Sequence, residues 1–146
     1  MEITEDNFSY SNVKEWIKDY SHQDKVRFAI HCDELGIDIY ESNHDSKVPR
    51  LAIDAAKAWV ESPTEHNRKA AFAAADNAAA DYVAGKGDDP AFFAARTSFA
   101  AFSAVRAADY VAAEASEVAF FAADVGGENV KSKIISWFIN NDKKED

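Results

Sequence analysis

Apolar residues recur along the 146-residue chain at intervals of three and four, and no alternating run long enough for a useful strand interrupts them. The pattern predicts helices and turns throughout. Val13, Trp16, Ile17 and Tyr20 fall at i, i+3, i+4 and i+7, which places a first helix over 11–20. Ser21 suits the N-cap of a second helix. Phe28, Cys32, Leu35 and Ile39 share one face of it, with Val26 and Ile30 beside them. Gly36 can end that helix, or the helix runs on to Glu41 at a cost of about 1 kcal/mol for the glycine. Continuation is favoured because Ile39 keeps the spacing. Residues 42–47 are polar and read as a loop.

Pro49 opens a third helix at a first-turn position, with Leu51, Ala55, Ala58 and Trp59 as the expected buried stripe. It stops at Ser62 and Pro63. Thr64 caps a fourth helix that runs to Gly85, with Ala71, Ala74, Ala75, Ala78 and Tyr82 on one face. An alanine face lets a neighbouring helix approach closely. The turn GKGDDP then stops one helix at Gly85 and starts another with Asp89 as cap and Pro90 in first position. That fifth helix is apolar nearly all round, with Phe92, Phe99, Phe102 and Tyr110 on one side, and is expected at the centre of a bundle. Gly126 and Gly127 end the segment. A last helix over 129–140 turns Val130, Ile134, Trp137 and Phe138 inward. The charged tail 142–146 is expected to fray.

The middle of the chain repeats itself. Of 28 alanines, 27 lie between Ala52 and Ala123. Residues 80–96 read ADYVAGKGDDPAFFAAR and residues 108–124 read ADYVAAEASEVAFFAAD, identical at ten of 17 positions. The first copy breaks between ADYVA and AFFAA. By analogy a break or kink is expected near 113–117, with Ser116 as an N-cap. One duplicated hairpin is not a solenoid array. The fold class that follows is all-α. The expected architecture is one domain, 1–146, a compact antiparallel bundle of about six to seven helices with alanine-rich central helices over 49–124.

Composition narrows the function. Ten Phe, five Tyr and three Trp must supply most of the buried area, since alanine offers little. Cys32 is the only cysteine, so no intrachain disulfide forms and a reducing compartment fits. The N-terminus MEITEDNFSY lacks a basic-then-apolar leader pattern. No apolar run approaches the roughly 20 residues that cross a bilayer, so a cytoplasmic protein is expected. The net charge of −10 argues against nucleic acid and anionic membranes as partners.

Chemistry is sparse. His22, His31, His44 and His66 form no Glu-x-x-His or His-x-x-x-His pair, and GKGDDP follows no strand. Cys32 lies on an apolar stripe and reads as core. Neither a metal site, a cofactor nor a catalytic residue is expected. Arg106 falls within the stripe of Phe99, Phe102 and Tyr110 and calls for a carboxylate partner, Asp109 or Asp81. Acids are distributed unevenly. Five of them, Asp109, Glu114, Glu117, Asp124 and Glu128, and no base, lie between Ala107 and Val130. Asp76, Asp81, Asp88 and Asp89 add to this around the adjacent turn. The candidate partner-binding residues are therefore Asp76, Asp81, Asp88, Asp89, Asp109, Glu114, Glu117 and Asp124, a surface suited to a basic protein.

At PRLAIDAAKAWVE, 49–61, followed by an alanine-rich run, the sequence resembles the Imm5-like family of bacterial immunity proteins. The matching positions are Pro49, Arg50, Ile53, Asp54, Ala55, Ala56, Lys57, Ala58 and Trp59, and the likeness extends loosely over 26–123. The resemblance implies a cytoplasmic protein that binds and neutralises a cognate toxin. Many such toxins are basic nucleases, which an acidic partner suits. Two other readings stand beside it: a bundle binding a small ligand between helices, and a homo-oligomeric module using exposed aromatics such as Phe93 or Phe120.

Overall fold

The structure, a computed structural model, describes residues 3–43, 47–83 and 108–141. All regular structure among them is helical. A 3-10 turn, Glu5–Asn7, precedes five α-helices: α1 (Tyr10–Ile17), α2 (His22–Asn43), α3 (Val48–Glu61), α4 (Glu65–Val83) and α5 (Ala108–Asn140). The all-α expectation holds. The GKGDDP turn and residues 90–107 of the helix expected from Pro90 lie outside the described residues; the continuation of that helix from Ala108 falls in α5.

Local chemistry sets most of the boundaries. Thr4 Oγ1 accepts from the Asn7 amide at 3.3 Å, and Ser9 Oγ accepts from Asn12 at 3.1 Å. Ser21 and Thr64 cap α2 and α4 as expected, accepting from Asp24 and Asn67, each at 3.1 Å. Such a cap satisfies one of the donors that a helix start leaves unpaired. Helix α1 begins one residue earlier than its apolar spacing implied and stops at Ile17, with Tyr20 in the turn beyond. Helix α2 passes through Gly36 and takes in Ser42 and Asn43, which the polar composition had assigned to a loop. Pro49 sits in the first turn of α3.

Helix α2 has neighbours on both sides. It packs against α3 and against α5; α4 packs on α3, and α1 on α5. Val26, Ile30 and Ile37 join one core with α3 and α4, while Phe28, Ala29 and Cys32 join another with α1 and α5. At 100° per residue the two sets stand about 135° apart, so each core receives its own face of the helix. Among the described residues the two-sided helix is thus α2, and the alanine-rich α4 packs mainly on α3. An alanine face is thin, and it suffices for one close neighbour.

The core of α3 and α4 is built from Ala52, Ile53, Ala56, Trp59, Val60, Ala71 and Ala78, with Ala75 also buried. This corrects the expected stripe on α3. Leu51 is 58 % exposed, Ala58 is exposed and Ala55 only half-buried. Ile53, Ala56 and Val60, flanked by Ala52, form the i, i+3, i+7 row that faces inward. Burial of Ile53 and Val60 outweighs that of one leucine, and they fix the rotation of the helix. The α4 face matches expectation at Ala71, Ala75 and Ala78.

The core of α1, α2 and α5 is aromatic. Phe28 lies 4.8 Å from Phe138 and 5.0 Å from Trp137, ring centre to ring centre. Trp16 meets Phe138 edge-on at 5.6 Å, and Tyr20 meets Trp137 at 5.7 Å. Val13, Ile17, Val118, Ala122 and Ile134 fill the rest. Of the inward set expected for the last helix, Val130, Ile134 and Phe138 are buried and Trp137 is half-buried against them, while Ile135 is buried in addition.

Helix α5 overturns the expected break near 113–117. It is continuous from Ala108 through that region, and Ser116 is fully buried inside it instead of capping a new start. The reason is the loss of turn chemistry from the second repeat. Where the first copy carries GKGDDP, the second carries AEASEV, without glycine or proline and rich in the strongest helix formers. The departure comes later, at Gly127, with φ 70° and ψ −155°. That conformation is essentially restricted to glycine.

Candidate functional site

The continuity of α5 decides where its acids stand. The buried positions Ser116, Val118, Ala119 and Ala122 define its inner face. Helical register puts positions 109, 114, 117 and 124 on the opposite side, within an arc of about 140° whose centre points directly away from that face. From Asp109 to Asp124 the row extends along about 22 Å of helix axis. A break near 113–117 would have scattered these positions over two helices. The unbroken helix strings them along one.

The other candidates fall elsewhere. Asp76 is exposed on α4, and Asp81 stands in the last turn of the same helix, whose packing neighbour is α3. Asp88, Asp89 and Arg106 lie outside the described residues. Glu128, just past Gly127, is exposed but no longer shares the register of the earlier acids.

Several bases are engaged by acids within the fold. Lys18 meets Glu15 at 2.5 Å, Arg27 meets Asp24 at 2.5 Å, Lys57 meets Glu34 at 2.6 Å and Arg68 meets Glu65 at 2.9 Å. The hydrogen bond from Arg68 lowers the pKa of Glu65 and raises that of Arg68. Three of these pairs have the i,i+3 spacing at which side chains on a helix surface meet, two inside a helix and one, Lys18–Glu15, at the C-cap of α1.

Sequence reasoning missed a groove of about 370 Å³ between α2 and α3. Ile30 and Val60 line it together with Arg27, His31, Glu34, Lys57 and Glu61. The Lys57–Glu34 pair bridges the two helices, and Gln23 Nε2 donates to the Val60 carbonyl at 3.0 Å. The i, i+3, i+4, i+7 spacing of Arg27, Ile30, His31 and Glu34 was visible, but the pairing across helices was not. His31 Nε2 is shielded from solvent and has no hydrogen-bond partner. The Arg27, Glu34 and Lys57 charges of the groove are already matched by acids or bases of the protein itself. The Lys57–Glu34 pair fastens α2 to α3, while the Arg27–Asp24 pair lies within α2.

Cys32 is fully buried, and burial, with the Asp33 charge adding to it, raises its pKa well above the ordinary thiol range. The thiol stays protonated at neutral pH and is poorly suited to act as a nucleophile. His66 is exposed, as expected, and His22 packs edge-on against Trp59 at 5.1 Å. Among the described residues no group of three or more His, Cys, Asp or Glu side chains is placed to hold a metal ion. No described helix is long and apolar enough to cross a membrane. The chain matches no protein family, no curated protein and no solved structure.

Proposed function

We propose that the protein is an immunity protein that binds a basic cognate toxin and blocks it by occupying its surface. The observation that carries this reading is the acidic row on α5: four acidic positions that share one arc of a helical segment continuous from Ala108 through 124, in a 24-residue stretch without a base. A row of like charge is costly to its own helix, because like-charged neighbours on a helix repel. A basic partner relieves that repulsion on binding. Such a surface accelerates encounter and selects against acidic partners, and its contribution falls as salt rises. The Imm5-like resemblance at 49–61 supports the same class.

Co-expression with the product of the adjacent gene tests the proposal. Host cells that otherwise die survive, and the two proteins copurify. The combined variant Glu114→Gln, Glu117→Gln and Asp124→Asn then slows association at low salt by about tenfold and flattens its salt dependence, with thermal stability held or slightly raised by the lost repulsion. Absence of both rescue and complex sinks the reading.

A further inference from the structure

We propose that Gly127 is a hinge dividing α5 into two arms, and that the N-terminal segment 3–10 is the clasp that fixes its angle. The segment touches both sides of the hinge. On the side before Gly127, the Phe8 ring stacks on Phe120 with centres 4.9 Å apart and planes inclined by 26°, and Tyr10 meets Phe120 edge-on at 6.1 Å. On the side after Gly127, Lys131 Nζ stands 5.5 Å from the centre of the Phe8 ring, and Ser132 Oγ donates to Glu5 Oε1 at 2.5 Å. One aromatic ring, Phe8, thus bears on both arms at once.

The clasp is itself anchored. The Thr4 cap holds the 3-10 turn, and Asn12 Nδ2 donates to the Asn7 carbonyl at 2.8 Å, tying the segment to α1. Gly127 itself is open on its Cβ side: a Cβ added there would meet nothing within 4 Å, so no side chain packs against it from that direction. Each arm keeps its own contacts with the aromatic core, the first through Val118 and Ala122 and the second through Ile134 and Phe138. Releasing the clasp therefore opens the first arm locally and leaves α3 and α4 as they are, the behaviour of a cooperative sub-unit of the fold. The clasp also governs the direction in which the first arm points its outer face, whatever binds there.

Hydrogen exchange on the full chain tests this, comparing the native protein with Phe8→Ala. Protection of the amides over 111–126 falls about tenfold, and that over 48–83 stays within about twofold. If Phe8→Ala does not fold, Lys131→Gln combined with Ser132→Ala is measured in its place, with the same pattern expected at about threefold. Unchanged protection over 111–126, or an equal fall across all helices, overturns the clasp.

Discussion

The two faces of α2 look onto cores made of different materials. On one side, α3 and α4 meet it with alanines around Ile53 and Trp59. On the other, its own Phe28 meets Trp137 and Phe138 of α5, and Trp16 of α1 packs against Phe138. The aromatic core draws its cohesion from large buried areas and offset ring contacts. The alanine core draws its cohesion from proximity: small side chains bring helix backbones close, and many weak dispersion contacts add up. The first kind of core is vulnerable to removal of a side chain. The second is vulnerable to addition of one.

That contrast can be broken most forcefully at Phe138, which is 1 % exposed. Phe138→Ala leaves a cavity among rings too rigid to close it, and is expected to cost about 3–5 kcal/mol in denaturant unfolding. A loss under 1 kcal/mol would show that the aromatic side is not packed as described. The alanine side responds to the opposite change. Ala75→Leu forces three more carbons into a buried position on α4, with an expected cost of about 1–3 kcal/mol. A stabilised Ala75→Leu variant would reveal unfilled space and erase the distinction.

The smallest effect sharpens the comparison through pH. Cys32 faces the aromatic core, and its pKa is raised by burial. The sign follows from linkage: the unfolded thiol ionises first, so the stabilisation is complete below its ordinary value and is lost as pH rises toward the folded value. Stability is expected to fall by up to about 1.4 kcal/mol per pH unit above about 8.5 from this group alone. Cys32→Val flattens that part of the curve, read from urea midpoints between neutral and alkaline pH. An identical slope in both proteins would mean that the thiol is hydrated in the folded state.

Elements governed by neighbouring residues were legible in the sequence. Ser21 and Thr64 announced helix starts, and Val130, Ile134 and Phe138 announced an inward face, because both effects act within one or two turns. The rotation of α3 was not legible. Ala52 and Ala56 are chemically the same as Ala55 and Ala58, so only Ile53 and Val60 carried contrast, and Leu51 pulled the expectation the wrong way. The continuity of α5 was obscured by a real repeat whose flanks survive after its turn residues have gone. The acidic arc was visible in composition, but its arrangement on one helix depends on that continuity. The Lys57–Glu34 link required knowing which helices are neighbours, which no local pattern contains.

One consequence of the two-sided α2 concerns insertions. A residue inserted at its middle would turn everything beyond by about 100° and carry it about 1.5 Å along the axis. Ile37 would leave its seat against the α3–α4 layer, while Phe28 and Cys32 kept theirs. A helix with one buried face can roll to recover such a misfit. This one cannot, because recovering one wall displaces the other. Its tolerance for changes of length should therefore be near zero over 26–37, while substitutions on its exposed positions, such as Arg27, remain mild.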